Sequence, residues 1–136
     1  MNIQDLAQKS LEARNLSYSP YSKFRVGAAL LTDSGEIYLG ANVENAAYSP
    51  CICAERSAFI RALMDGHKVF KAIAVSSDVQ EYVSPCGVCR QFMREFSSDL
   101  PIIMVKSNGE FYESNLEKLL PMSFGPEDLE KPRDNN

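Results

Sequence analysis

The four cysteines of this 136-residue chain lie in two short stretches, CICAER and SPCGVCRQ. Cys86 and Cys89 form a Cys-x-x-Cys pair, and Cys53 is followed two positions later by Glu55. Thiolates are good zinc ligands, and a carboxylate beside a metal can move protons to and from a water that the metal activates. These residue types and spacings predict a zinc-dependent catalytic site with Glu55 as its acid-base group.

Three other interpretations of the cysteines remain open: a thioredoxin-like redox pair, two buried thiols, and a closed structural zinc site that includes Cys51. The redox pair leaves Cys53 and Glu55 unexplained. The single residue between Cys51 and Cys53 is less than the roughly two to four residues that usually separate paired ligands in structural zinc sites. We therefore favour three ligands, Cys53, Cys86 and Cys89, with a fourth position left for water. Cys51 is then a small buried or half-buried thiol.

Arg56, directly after Glu55, is explained by the charge of such a site. Three thiolates around Zn²⁺ leave a net negative charge, which makes the metal a poorer acid for its bound water. Arg56 can donate hydrogen bonds to the sulfurs and offset that charge. The alternative is a solvated helix residue. His67, the only histidine, follows Gly66 and is expected to be solvated at a helix end.

The elements that must position these residues alternate between helix and strand. Asn2 is expected to cap a first helix that ends near Leu16. FRVGAALLT and EIYLGANV predict an antiparallel hairpin of Val26 to Thr32 with Ile37 to Asn42. CAERSAFIRALMDG predicts a helix with Gly66 as its C-cap.

The second half of the chain predicts a parallel unit followed by a return strand. KAIAVSS and PIIMVKS are buried strands, and the helix between them starts just after Pro85. Asn108-Gly109 favours a two-residue hairpin, so the last strand is expected to run antiparallel to the one before it. A short helix from Leu116 to Leu120 should end at Pro121.

Composition narrows the possible functions. Residues 1–130 are expected to form a single domain, because 45% of the chain is hydrophobic, and residues 131–136 a disordered tail. The net charge of -4 gives no basic surface for a nucleic-acid partner. The sequence has no signal peptide and no apolar run long enough to span a membrane, so we expect a cytoplasmic protein.

The motifs also carry a family resemblance. CAE at Cys53 to Glu55, followed by PCGVC, resembles the zinc deaminase pattern. FRVGAALLTDSGEIYLGANVENAAYSPCICAER is similar to the small homotetrameric cytidine deaminases that act on free nucleosides, and the similarity extends from YSPYSKF to LLPMSF. It implies an α/β, three-layer cytidine deaminase-like fold: a mixed five-stranded sheet covered by helices, with the last two strands antiparallel.

The resemblance also assigns roles to residues. It implies one zinc per subunit, held by Cys53, Cys86 and Cys89, with Glu55 as proton shuttle. Asn42 and Glu44 correspond to residues that bind the ribose hydroxyls, Phe24 to an aromatic residue that packs on the nucleoside, and Ala54 and Ser84 to backbone contacts beside the pyrimidine. Residues from neighbouring subunits complete the site: Ala46, Tyr48 and Phe124.

The expected function is hydrolytic deamination of cytidine and deoxycytidine to uridine and deoxyuridine by a zinc-activated water, a step of pyrimidine salvage. Two alternatives stay open. One is a zinc deaminase of another free base or nucleoside analogue, and the other is a non-catalytic binding module stabilised by zinc. Glu55 argues against the second alternative, because a structural zinc site does not need a carboxylate beside the metal.

Overall fold

The computed structural model describes residues 2–134 and consists of one five-stranded sheet between helices. The strand order is β2-β1-β3-β4-β5. The strands are β1 (Val26–Thr32), β2 (Ile37–Ala41), β3 (Phe70–Ser77), β4 (Pro101–Val105) and β5 (Phe111–Asn115). The helices are α1 (Ile3–Ala13), α2 (Ala54–Met64), α3 (Gly87–Arg94), α4 (Leu116–Leu119) and α5 (Pro126–Leu129).

The sheet is mixed, as the sequence predicts. β1 pairs antiparallel with both β2 and β3, and β3 pairs parallel with β4. α3 lies in the crossover between these two parallel strands. β5 returns antiparallel to β4, which confirms the predicted orientation of the last strand.

The turn between β4 and β5 differs from the predicted two-residue hairpin at Asn108-Gly109. The Lys106 N–H donates to the Glu110 carbonyl at 2.8 Å, and the Gly109 N–H donates to the Lys106 carbonyl at 2.9 Å. Three residues therefore connect the paired ends, and Gly109 takes a left-handed φ of 97°. This is a tight turn followed by a glycine bulge, which the same dipeptide also permits. The β1–β2 turn has the same form, with Gly35 at φ 94°.

Helices cover both faces of the sheet and create two apolar layers. α1 packs Leu6 and Ala7 against Ala29, Ala74 and Ile103. On the other face α2 and α3 bury a larger cluster, which includes Phe59, Met93, Leu30, Ile73 and Ile102. Removal of this apolar area from water is the main force that holds the helices on the sheet.

The ends of the helices follow the sequence closely. The Asn2 Oδ1 accepts from the Asp5 N–H at 2.8 Å, and the chain after α1 continues as a 3₁₀ turn to Leu16. Asp65 is the C-cap of α2, so the predicted cap Gly66 lies one residue later, at φ 91°.

The C-terminal segment contains one element that we did not predict. α5 starts at Pro126, and the Gly125 N–H donates to the Asp128 side chain at 2.9 Å. Residues 131–134 form no helix or strand, and residues 135 and 136 of the expected tail lie outside the described part. Across residues 2–134, no helix is long and apolar enough to cross a bilayer.

α2 approaches β2 more closely than a side chain would allow. A Cβ on Gly40 would lie 2.3 Å from the Ala58 nitrogen and 2.5 Å from the Ala54 carbonyl oxygen. The first two turns of α2 therefore rest directly on the backbone of β2. This contact fixes the height of the N-terminal end of α2 above the sheet.

We expect Gly40→Ala to destabilise the protein by about 1–3 kcal/mol, because the added methyl group must push α2 off the sheet. Denaturant unfolding measures the change. Gly87→Ala is the matched control, since a Cβ there meets nothing within 4 Å. Equal stability of the two variants would contradict the close approach of α2.

Candidate active site

Three of the four cysteines form a cluster. The Cys53 and Cys86 Sγ atoms are 3.6 Å apart, the Cys86 and Cys89 Sγ atoms are 3.5 Å apart, and all three lie within 4.8 Å of one another. Tetrahedral zinc with bonds of about 2.3 Å would separate its sulfur ligands by about 3.8 Å. A disulfide would need about 2.05 Å. The donor set therefore fits a zinc ion.

The thiols converge because two helices begin at the same place. Cys53 is the N-cap of α2, Cys86 is the N-cap of α3, and Cys89 lies in the first turn of α3. Neither N-cap side chain bonds to the backbone of its own helix, so both sulfurs remain available to a ligand. The positive ends of the two helix dipoles stabilise thiolates at this point.

Cys51 lies outside this cluster, as the three-ligand interpretation requires. Its half-buried Sγ accepts a hydrogen bond from the Asn45 N–H at 3.3 Å. A closed site of four thiolates is therefore not formed by these residues.

Glu55 is a buried carboxyl group in the first turn of α2, only 3% exposed. Among residues 2–134, its Oε1 has no hydrogen-bond partner. Burial, which is the main cause, raises the pKa of Glu55 to about 7, and the nearby Cys53 sulfur adds to this. A buried oxygen without a partner costs free energy, so its presence here indicates a binding partner outside the protein.

Arg56 contacts the cluster as predicted, with its Nη2 donating to the Cys53 sulfur at 3.5 Å. The hydrogen bond from Cys89, assisted by Arg56 and Cys86 and opposed by burial, lowers the pKa of Cys53 to about 5. The same sulfur raises the pKa of Arg56 above its ordinary value. Cys53 and Arg56 therefore form a thiolate-guanidinium pair at the start of α2.

A cavity of about 300 Å³ opens onto the cluster. Its lining joins several of the predicted residues: Asn42, Glu44, Cys53, Ala54, Glu55, Ser84 and Cys86. The volume lies at the lower end of the range for small-molecule sites. Two of the three expected metal ligands, Cys53 and Cys86, thus face the same cavity as the acid-base group and the predicted sugar contacts.

Four predicted substrate residues do not line this cavity. Phe24 contributes its carbonyl group to the site, where it accepts from the Asn42 Nδ2 at 2.9 Å. Tyr48 lines a neighbouring cavity and is 77% exposed, with a left-handed φ of 65°. Ala46 is also exposed, and Phe124 is 57% exposed near the C-terminal end of the structure.

Asn42 and Glu44 already have hydrogen-bond partners within the protein. The Asn42 Oδ1 accepts from the Val26 N–H at 3.0 Å and also from the Ser17 hydroxyl. The Glu44 Oε1 accepts from two backbone N–H groups, of residues 21 and 22, at 3.0 and 3.1 Å. The protein itself therefore compensates most of their desolvation.

Two positioning residues were missed by the sequence reasoning. The Ser22 hydroxyl donates to the Glu44 Oε2. Arg90 donates from its Nε to the Pro85 carbonyl at 2.7 Å and from its Nη2 to the Ser84 hydroxyl at 2.8 Å, which fixes the loop before Cys86. The only signal for Ser22 was its place in the proline-containing turn SYSPYS.

One wall of the cavity is an irregular segment. Residues 42–52 contain no helix or strand. Val43 forms isolated bridges with Tyr18 and, inside the segment, with Ile52, and the side chains of Asn42 and Glu44 hold the start of the segment in place. The opposite side is formed by the start of α2, which rests on β2. The site thus combines one rigid side with one irregular side.

Comparison with known proteins identifies the family. Residues 1–105 match the family model described as the cytidine and deoxycytidylate deaminase zinc-binding region. A cytidine deaminase of Sporosarcina psychrophila is 48% identical over 130 residues, which cover 95% of this chain and 96% of that protein.

Solved structures give the same result. The cytidine deaminase of Burkholderia pseudomallei has a TM-score of 0.88 and 40% identity, with 91% of this chain and 100% of that chain covered. The cytidine deaminase of Mycobacterium tuberculosis has a TM-score of 0.81 and 33% identity, with 92% and 98% covered. The zinc-binding region of the family model includes Cys53, Cys86 and Cys89, and their cluster is consistent with one zinc ion. The chain therefore belongs to the family of zinc-dependent cytidine and deoxycytidylate deaminases.

Proposed function

We propose that this protein deaminates cytidine and deoxycytidine by hydrolysis, giving uridine or deoxyuridine and ammonia. The observation that carries the proposal is the buried Glu55 Oε1 without a partner, at a cavity that also contains the thiol cluster. A structural zinc site would not require an unpaired carboxyl group, which is costly to bury. The names of the similar proteins, which are cytidine deaminases, support the same activity.

Glu55 performs the proton transfers in this proposal. When bound, zinc would supply an electrophilic centre at which a water molecule ionises near neutral pH. Glu55 takes a proton from the attacking water and delivers it to the ring nitrogen beside the amino-bearing carbon. It then assists departure of the amino group as ammonia. Its burial suits both roles, because it brings the pKa close to neutrality.

The other cavity residues bind the nucleoside. The Ala54 N–H and the Ser84 carbonyl contact the pyrimidine, while Asn42 and Glu44 contact the ribose hydroxyls. Arg56 offsets the charge of the third thiolate through its hydrogen bond to Cys53. A deaminase of another free base or nucleoside analogue remains the second candidate, and the hydrogen-bonding side chains at Asn42 and Glu44 favour a sugar-bearing substrate.

We further propose a homotetramer with shared active sites, acting in cytoplasmic pyrimidine salvage on free nucleosides rather than on nucleic acid. The exposed side chains of Tyr48, which lines the neighbouring cavity, and of Phe124 support this, because their rings have apolar surface available for contact with another subunit. Two hydrogen bonds from α3 fix the segment that contains Phe124. The Gln91 Nε2 donates to the Phe124 carbonyl at 2.9 Å, and the Arg94 Nε donates to the Ser123 hydroxyl at 2.7 Å. Phe124, Ala46 and Tyr48 complete a neighbour's site, and Phe24 packs on the nucleoside.

The purified protein is expected to convert cytidine and deoxycytidine, and Glu55→Gln should reduce turnover by about 10²- to 10⁴-fold because the proton carrier is lost. Zinc content and cytidine binding should remain. Ammonia release and bound zinc are the measurements. Near-normal turnover by Glu55→Gln would remove Glu55 from the mechanism, and absence of cytidine deamination by the wild type would contradict the function.

Cys51→Ser should retain one zinc per subunit, whereas Cys86→Ser should lose zinc or bind it far more weakly. The reason is that the Cys86 sulfur belongs to the cluster and the Cys51 sulfur does not. Metal analysis after dialysis against a chelator distinguishes the two variants. Loss of zinc from Cys51→Ser would restore the four-thiolate interpretation.

Arg56→Gln should keep zinc but lower turnover by about 10- to 100-fold, the usual effect of losing a group that hydrogen-bonds to a metal ligand. Arg61→Gln is the matched control on the same helix, where the side chain donates to the Leu39 carbonyl and does not touch the cluster. Equal turnover of these two variants would leave Arg56 without a role in charge compensation.

A further inference from the structure

The turn from Tyr21 to Phe24 contacts Glu44, lines the neighbouring cavity through Tyr21 and Ser22, and has a constrained backbone. Lys23 has a left-handed φ of 61°, which a residue with a Cβ adopts only at a cost. The Lys23 N–H donates to the Ser19 carbonyl at 3.1 Å and closes the turn. The turn is therefore held in one conformation by its hydrogen bonds.

Ser22 links this turn to the carboxylate of Glu44. The Ser22 hydroxyl oxygen accepts from the Phe24 N–H at 3.0 Å and donates its own proton to the Glu44 Oε2. A hydroxyl group has one proton, so the bond from Phe24 leaves the oxygen oriented with that proton toward Glu44. Ser22 thus fixes the oxygen of Glu44 that the backbone N–H groups do not hold.

The hydrogen bonds already made leave little freedom to Glu44. A carboxylate offers about four acceptor positions, and the turn occupies three of them, two on Oε1 and one on Oε2. One position on Oε2 remains, on a residue that lines the cavity. Glu44 is therefore limited to one further donor, such as a ligand hydroxyl group.

The hydrogen bonds of Asn42 leave it one free donor, whereas those of Glu44 leave it one free acceptor position. Its Oδ1 accepts from both Ser17 and Val26, and one N–H of its Nδ2 donates to the Phe24 carbonyl. One amide N–H is left for a ligand. One acceptor and one donor that line the same cavity match a sugar hydroxyl group, which both donates and accepts.

We propose that Ser22 is a positioning residue that orients Glu44 for a sugar hydroxyl group and thereby makes binding depend on that hydroxyl. The proposal rests on the proposed function, since it names the part of the nucleoside that Glu44 receives. Ser22 acts through Glu44, so its contribution should exist only when both Glu44 and the ligand hydroxyls are present. A serine that only stabilises the turn would affect every ligand alike.

The test measures dissociation constants for cytidine and for 2′,3′-dideoxycytidine, which lacks both ribose hydroxyls, by calorimetry. All variants are made in the Glu55→Gln protein to prevent turnover. Ser22→Ala should weaken cytidine binding about tenfold, the upper range for one lost hydrogen bond, and should change dideoxycytidine binding by less than about twofold. Ser22→Thr, which keeps the hydroxyl, should restore most of the cytidine affinity. Ser34→Ala, at the turn between β1 and β2, is the matched control and should bind both ligands normally.

A double-mutant cycle tests the route through Glu44. Once Glu44→Ala is present, adding Ser22→Ala should weaken cytidine binding by less than about twofold, because the residue through which Ser22 acts is gone. Should Ser22→Ala fail to fold, Ser22→Cys keeps the size of the side chain with a much weaker donor and should show the same selective loss.

The outcomes separate this inference from the proposed function. Equal weakening for both ligands, unchanged cytidine binding in Ser22→Ala, or a full additive loss in the double variant would overturn the role of Ser22. Deamination of cytidine by the wild type is assayed separately, so a failure there contradicts the function while the binding comparison still decides Ser22. If cytidine does not bind the Glu55→Gln protein although the wild type deaminates it, the role of Ser22 in ground-state binding is overturned and the function stands; if the wild type does not deaminate it either, both proposals fail.

Discussion

The convergence of three sulfur atoms from two distant parts of the chain is the constraint on which the site depends. Cys53 and Cys86 are 33 positions apart in the sequence, yet their sulfurs are 3.6 Å apart in the fold. This is possible because α2 and α3 both begin beside the same cavity, on the face of the sheet with the larger apolar cluster. The packing of Phe59 from α2 and Met93 from α3 in this cluster therefore helps to position the zinc ligands.

The electrostatics of the site follow from this arrangement. The Cys53 sulfur carries negative charge at the start of α2, because its pKa is lowered, and the Arg56 guanidinium group donates a hydrogen bond to it. Glu55 lies on the same first turn as Arg56 but is buried away from solvent, so its pKa rises to about 7 instead of falling beside a cation. Glu55 and Arg56 are adjacent in the sequence, yet burial has a larger effect on the pKa of Glu55 than the nearby positive charge of Arg56.

Local sequence signals predicted most of the fold. Apolar periodicity or a nearby turn residue predicted three elements: the strands of the first hairpin, the helix that starts after Pro85, and the antiparallel orientation of β5. The three-residue turn at Gly109 was not predicted, because Asn-Gly suits more than one kind of turn. The metal cluster was predictable from cysteine spacing and Glu55, whereas Ser22 and Arg90 were not. Ser22 donates to Glu44, 22 positions along the chain, and Arg90 also donates to the Leu119 carbonyl, 29 positions away. Serine and arginine have no characteristic spacing for such a role.

The contact of Gly40 with α2 has a consequence for how substrate range can change. No side chain separates the backbone of β2 from the first turns of α2. This helix therefore cannot shift to admit a larger ligand without breaking its contact with Gly40. Residues 45–51 have no such restriction, since the hydrogen bonds that they form with described residues are made within that loop. Directed evolution toward bulkier nucleosides is therefore expected to accumulate substitutions in that segment while the helix that carries the metal and the acid-base group stays unchanged. The division into a fixed catalytic side and an adaptable recognition side lets specificity evolve independently of chemistry.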